Sequence, residues 1–300
     1  MSALRIGSRG SQLALWQANH IAAALRARGH EVSIQIIKTT GDRLQDPAFR
    51  AAMPGAEDGK GIFIKEIEEA LAAGGIDLAV HSLKDLPTEL AGQFMIAAIP
   101  QRVDPRDALI APHGMTLSEL PAKARVGTTS PRRQTQLLDM RDDLQFVEMR
   151  GNVDTRLRKL DEGQAEALVL AAAGLERLGL AGRISQRFTV SEVCPAPGQG
   201  ALAIECRAGD AAVMAALAPL DNTATRYAVT AERAALSALG GGCSVPIGIF
   251  CEAMADGYVL RGTRFIENAL MRKMIEVAAD VPAEEAGARM GAAMQEVRFS

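Results

Sequence analysis

The chain has 300 residues, of which 48% are hydrophobic, 23% charged and only 4% aromatic, with a formal net charge of −3. This balance excludes a disordered chain, a collagen-like repeat and a disulfide-stapled miniprotein, and the length points to two or three domains. With one Trp and two Tyr, it also argues against a protein that coats itself in nucleic acid.

In chain order, Leu4-Arg5-Ile6 reads as a short strand, and apolar residues at 14, 18, 21, 22 and 25 give helical spacing over Ser11 to Arg26. Val32, Ile34 and Ile36 alternate as a strand, and Ile64, Ile67 and Leu71 return to the helical period. Ile76 to Val80 and Phe94 to Ile99 are buried-strand candidates. Alternation of this kind predicts an α/β domain with a largely parallel sheet, whose ligands sit at the carboxyl ends of the strands.

The pattern then restarts. Arg125 to Thr128 reads as a strand and Ser130-Pro131 as a helix start, Ser being a favoured N-cap and Pro a favoured first helical residue. Leu144 to Met149 is a strand, Val153 to Leu160 a helix, and Ala167 to Leu170 a strand. The stretches RIGSRGSQLAL at 5–15 and RVGTTSPRRQTQLL at 125–138 share one order: strand, Gly, hydroxyl-rich turn, Arg, helix. This is a weak internal duplication, read as two similar α/β domains with their anion-binding turns facing each other.

Pro and Gly mark hinges near 100–105 and 194–198, and Ala201 to Cys206 is a strand that rejoins the first domain. Thr223 to Leu239 reads as a long helix stopped by three glycines. Strands near 247–253 and 258–264 and a helix after Pro282 complete a small α+β domain. The expected division is residues 1–100 with 199–218, residues 105–194, and residues 222–300.

No apolar N-terminal stretch resembles a secretory signal, and the longest apolar run, Ala167 to Leu175, is about half of a membrane span. Cysteines at 194, 206, 243 and 251 form no CxxC pair, which favours free thiols in a reducing cytoplasm. The four His, at 20, 30, 81 and 113, share no metal-ligand spacing, so no metal site is expected.

The basic residues are lopsided, 26 Arg to 7 Lys. That fits either an anion binder or a GC-rich coding bias. Position separates the two readings. Arg9 and Ser11 follow the first strand, and Lys84 follows the IDLAV strand. Ser130, Arg132 and Arg133 open one helix, and Arg150 and Arg156 flank the start of another. Helix N-termini already carry positive potential, so Arg there is unfavourable unless an anion arrives. Asp85 in HSLKD is either an acid/base in an Arg-lined cleft or a structural ion-pair partner. His81 reads as a hydrogen-bonded structural residue. Cys243 in GGGCSVPIG is either a small buried thiol or an exposed attachment point.

The stretches RIGSRGSQLALWQ, GKGIFIKE, DLAVHSLKDLP, VGTTSPRRQ, MRGNVDTRLRKLD, LAAAGLERLG, PAPGQGALAIECR, AERA and GGGCSVPIG occur in that order. Through them the chain resembles the porphobilinogen deaminase (hydroxymethylbilane synthase) family over essentially its whole length. The resemblance implies three domains, with the active site in a cleft between the first two, which are periplasmic-binding-protein-like. It implies a monomeric transferase, acting on a small molecule and on neither nucleic acid nor membrane, that joins four porphobilinogens head to tail and releases ammonia. A dipyrromethane cofactor held by a thioether to Cys243 is implied. Asp85 is then the catalytic acid/base, a buried carboxylate that assists ammonia loss and stabilises the cationic azafulvene. Lys84, Asp85, Ser130, Arg132, Arg133 and Arg156 are implied in cofactor binding. Arg9, Ser11, Arg150, Arg156 and Arg177 are implied for substrate carboxylates, and Lys60 and Phe63 for the lid. The chain departs from the pattern with Gln12 in place of a Pro, Ala56 in place of a Lys, and Asp154 at a variable position.

Overall fold

A computed structural model of the chain describes residues 3–43, 63–240 and 245–296. Elements are numbered through those residues. The chain divides into two units, the first formed by Met1–Arg102 with Ala201–Thr223 and the second by Val103–Gly200 with Ala224–Ser300.

The first unit holds strands β1 (Ala3–Ser8), β2 (Glu31–Ile36), β3 (Leu78–Ser82), β4 (Phe94–Ala98) and, far along the chain, a strand at Leu202–Arg207. Ser11 caps helix α1 (Gln12–Arg26), its hydroxyl accepting from Ala14 N at 3.4 Å. Short helix α2 spans Thr40–Arg43, and α3 spans Lys65–Ala72. The sheet order is β2, β1, β3, the Leu202–Arg207 strand, β4. Pairings from β2 to β3 are parallel, and those made by the returning strand are antiparallel. The expectation of a largely parallel sheet is therefore corrected to a mixed one. The strand from residue 202 re-enters from outside the βαβ repeat, so no right-handed crossover constrains its direction. Ile21, Leu25, Leu78 and Ile204 pack on the α1 face, and Ile67, Leu71, Ile76 and Ala79 on the α3 face.

The second unit repeats this plan with β5 (Asp107–Ile110), β6 (Arg125–Gly127), α4 (Pro131–Met140), β7 (Gln145–Val147), α5 (Val153–Asp161), β8 (Ala167–Ala171), α6 (Ala172–Arg177) and β9 (Gln186–Arg187). The Leu202–Arg207 strand is then β10, and α7 spans Ala211–Leu217. The sheet order is β7, β6, β8, β5, β9, with the same alternation of parallel and antiparallel pairs. Ile6 and Gly7 pair with Leu78 and Ala79, and Val126 and Gly127 pair with Ala167 and Leu168. This register equates Asp77 with Glu166, His81 with Leu170, and Lys84-Asp85 with Ala173-Gly174. It likewise equates Glu205, opposite Ala79, with Ile110, opposite Leu168. The internal duplication read from the sequence is thus carried by two sheets of one topology.

The second unit also contains α8 (Thr223–Ala238, whose first residue is counted in the first unit) and the antiparallel strands β11 (Ile247–Met254), β12 (Gly257–Ile266) and β13 (Ala269–Ala278). Helix α9 (Ala283–Gln295) follows, and a core of Ala231, Ala235, Ile249, Leu260, Met290 and Met294 joins these elements. The hinge expected at 194–198 is stitched down within this unit. Cys194 O accepts from Arg132 and Gln136, Ile249 N donates to Pro195 O, and Gly198 N donates to the buried Glu232. The boundary between the units falls just beyond it, after Gly200. There φ is +88° and an added Cβ would lie 2.7 Å from Val103 O, so the position admits only glycine without strain.

Candidate functional site

In the first unit β1 is flanked by β2 on one side and β3 on the other. The chain leaves β1 toward one neighbour, and the next parallel strand lies on the other side. The gap beyond the carboxyl ends of β1 and β3 is therefore a topological switch point, the usual ligand position in such sheets. The sequence loads both flanking turns. Arg9 and Ser11 follow β1, and the 3-10 turn Leu83–Asp85 follows β3.

Arg9 donates through Nε and Nη2 to Asp42 Oδ1 at 3.0 and 2.6 Å, and its guanidinium lies 4.0 Å over the Phe63 ring. Burial works to raise the Asp42 carboxyl, but Arg9 and Thr39 outweigh it and hold it below the usual carboxylate range. Lys84 is half-buried and Asp85 is exposed. The expectation of a buried Asp85 is thereby corrected: the residue stands in a three-residue turn beyond the end of β3, outside the strand pairing that buries its neighbours. His81, one turn earlier, is buried against Glu205, with Nε2 and Oε2 2.8 Å apart. Its reading as a hydrogen-bonded structural residue fits that contact.

In the second unit the turn after β6 leads into α4. Ser130 occupies the N-cap position, but its side chain makes no capping bond. Arg132 and Arg133 in the first helical turn are buried, and both converge on Asp107, which is fully buried on β5. Arg132 Nη1 lies 2.7 Å from Asp107 Oδ2 and donates to Cys194 O at 2.6 Å. Arg133 donates to Asp107 Oδ1 through Nε and Nη2 and to Val169 O through Nη1. Gln199 Nε2 adds a bond to the same Oδ1 at 3.0 Å. Burial opposes the charge of Asp107, yet the two guanidinium groups hold its carboxyl far below the usual range. The donors of both guanidinium groups are thus spent on Asp107 and on the backbone carbonyls of Cys194 and Val169.

Arg177 is buried and donates to Gly200 O at 2.8 Å, and desolvation lowers its pKa to about 10. Arg150 is paired with Glu148, and Arg156 Nε donates to Gly151 O at 2.8 Å at the start of α5. Asp154 is exposed in the first turn of that helix.

Cys243, Lys60 and Ala56 lie outside the described residues. The other three cysteines are buried, and burial pushes the Cys194 thiol up to about 12 and that of Cys206 to about 11, which disfavours the thiolate in both. Among the described residues, no group of three or more His, Cys, Asp or Glu is arranged to hold a metal, and no helix is long and apolar enough to cross a membrane. Sequence reasoning missed Asp107 and Glu205. The available signal was an acidic residue in an otherwise apolar strand, as in LAIEC, because such a charge is retained only with a partner.

A family described as "Porphobilinogen deaminase, dipyromethane cofactor binding domain" matches residues 4–215, and "Porphobilinogen deaminase, C-terminal domain" matches residues 226–296. A porphobilinogen deaminase of Roseiflexus sp. is 52% identical over 261 residues, covering 86% of this chain and 84% of its own. One of Xanthomonas euvesicatoria is 47% identical over 287 residues, covering 95% and 92%. Among solved structures, a periplasmic substrate-binding protein from Coxiella burnetii is 14% identical with a TM-score of 0.42, covering 74% of this chain and 94% of that one. By the family and sequence matches the chain belongs to the porphobilinogen deaminase family, whose members polymerise porphobilinogen into hydroxymethylbilane in tetrapyrrole biosynthesis.

Proposed function

We propose that Asp85 is the carboxylate on which each addition turns, and that the Arg-bearing turns of both units hold the acetate and propionate groups of the pyrroles. The observation that carries this reading is the placement of Arg9, Ser11, Lys84 and Asp85 on adjacent turns at the switch point of the first sheet. Each addition breaks the aminomethyl C–N bond of porphobilinogen, releases ammonia, forms a C–C bond to the growing chain and expels a proton from the attacked carbon. Positive charge develops on the substrate as ammonia leaves, so a fixed carboxylate stabilises the transition state more than the ground state. The same carboxylate then lies where the expelled proton departs.

The dipyrromethane cofactor, when bound, supplies the pyrrole end to which the first substrate is joined. Cys243 would hold it covalently, with Lys84, Ser130, Arg132, Arg133 and Arg156 on its carboxylates. Arg9, Ser11, Arg150 and Arg177 would take carboxylates of incoming rings, with Phe63 and Lys60 over them. The division into residues 1–100 with 199–218, 105–194 and 222–300 belongs to this reading. So does action as a cytoplasmic monomer, with neither nucleic acid nor membrane as partner, which the near-neutral charge and low aromatic content support.

Intact mass spectrometry with steady-state kinetics tests the core of the proposal. Cys243→Ser should lose a dipyrrole mass increment and all activity. Asp85→Asn should keep the increment and lose about 10²–10³ in kcat, the usual cost of one preorganised electrostatic partner. An Asp85→Asn variant that is loaded and turns over normally would refute the assignment.

A further inference from the structure

The buried His81–Glu205 pair is not used by the chemistry above. It costs the fold something: Glu205 is fully buried, and its Oε1 has no hydrogen-bond partner among the described residues. The repeat shows that the sheet does not need it. The equivalent positions in the second unit are Leu170 and Ile110, both buried and apolar.

The geometry of β3 indicates what the pair does. Pairing of β3 with β1 ends at Gly7 and Ala79, whereas pairing with β10 continues to Ser82. The last residues of β3 are therefore held from one side only as they approach the turn carrying Lys84 and Asp85. Three contacts fix that end. Leu83 N donates to Ala201 O at 3.0 Å, Gln17 Nε2 donates to Ser82 Oγ at 2.8 Å on the α1 face, and Glu205 meets His81. Residues two apart share a face, so Ala79, His81, Ala203 and Glu205 lie together on the other side of the sheet. Glu205 and His81 are diagonal neighbours there, and the small Ala203 opposite His81 leaves room for them to meet. The register between β10 and β4 shifts between Ile204 and Glu205, the kind of irregularity that re-aims a side chain. Glu68 of α3 is the further acid on this face. Burial and the charge of Glu205 raise its carboxyl, with His81 opposing.

We propose that Glu205 and His81 are positioning residues for the reaction, a cross-strand strut that sets the direction in which β3 delivers the Lys84–Asp85 turn. This rests on the reading of Asp85 given above.

Copying the second unit into the first tests it. The double variant His81→Leu/Glu205→Ile replaces the pair by apolar groups already accommodated at the equivalent sites, so it should fold and melt at or above the wild-type temperature. Its covalent mass increment should be retained and KM should stay within about twofold, while kcat falls about 10- to 100-fold, the scale of a small misplacement of a reacting group. His81→Gln, whose amide can still donate to Glu205, should recover most of kcat relative to His81→Leu. Wild-type kcat in the double variant, alongside an inactive Asp85→Asn, would overturn the positioning role alone. Turnover by Asp85→Asn would instead remove the reading of Asp85 and the strut with it. If the double variant does not fold, His81→Leu and His81→Gln decide the matter. Equal kcat in those two would overturn the proposal.

Discussion

The two α/β sheets agree at the amino ends of their central strands and differ at the carboxyl ends. In the first, Arg5 N, Nε and Nη2 all donate to Asp77, and Asp77 N returns a bond to Arg5 O at 2.9 Å. In the second, Arg125 makes the same set of donations to Glu166, and Glu166 N returns a bond to Arg125 O at 2.9 Å. Gly7 and Gly127, two residues on, are both walled by side chains, Ile76 in one case and Leu168 with Met149 in the other. Past that point the resemblance stops. Where the first unit has His81, Lys84 and Asp85, the second has Leu170, Ala173 and Gly174. Where the first has Leu202 opposite Ser82, the second has Asp107 opposite Ala171, under two arginines. Both sheets keep the clasp at the same register position, where the central strand meets its parallel neighbour. The strand ends are free to diverge, one into a carboxylate and the other into a cation pair.

The largest expected effect comes from breaking the cation side. Asp107→Asn removes the buried carboxylate on which Arg132 and Arg133 converge and should cost about 3–5 kcal/mol of stability, read by denaturant melts. The same residue sets a pH dependence. Its carboxyl is depressed in the folded state, so its contribution is fully present above the ordinary carboxylate pKa of about 4 and is lost as the pH falls below it. Wild type should therefore lose stability toward acid more steeply than Asp107→Asn. Parallel curves would show that Asp107 is not the charged partner.

A smaller effect tests the equivalence of the two strand cores. Gly7→Ala and Gly127→Ala each place a methyl against packed side chains and should cost about 1–3 kcal/mol, by similar amounts. A large inequality would mean that the two sheets are related in topology but not in packing. The smallest effect is at the clasps. Arg5 and Arg125 have side chains 41% and 42% exposed, so solvent screens their ion pairs, and Arg5→Ala and Arg125→Ala should each lower stability in denaturant melts less than either glycine substitution.

Much of the architecture was legible because it rests on local periodicity. The strands at 3–8, 31–36 and 125–127 and the helices beginning at Gln12, Pro131 and Val153 stand where alternation, capping residues and Pro placed them. Short or amphipathic pieces escaped, among them β5 (Asp107–Ile110), β9 (Gln186–Arg187), α7 (Ala211–Leu217) and β13 (Ala269–Ala278). β13 alternates weakly and runs through Arg272, Lys273 and Glu276, so its strand character comes from pairing along all of β12. The Arg-bearing turns were visible for an electrostatic reason, since cations at helix starts are costly without an anion. The partners that hold several of them were not. Asp42, Asp107 and the Cys194 carbonyl are 33, 25 and 62 residues from Arg9, Arg132 and Arg132 in turn.

The sequence by itself determined the elements, the duplication and the ordered motifs of the family, because each depends on residues close together in the chain. Only the tertiary structure decided that β10 runs antiparallel between β3 and β4, that Asp85 stands exposed while Arg132 and Arg133 are buried, and that Glu205 reaches His81 across the sheet. Those outcomes depend on contacts between segments distant in sequence, where burial and charge pairing are set by which surfaces meet and no local pattern records them.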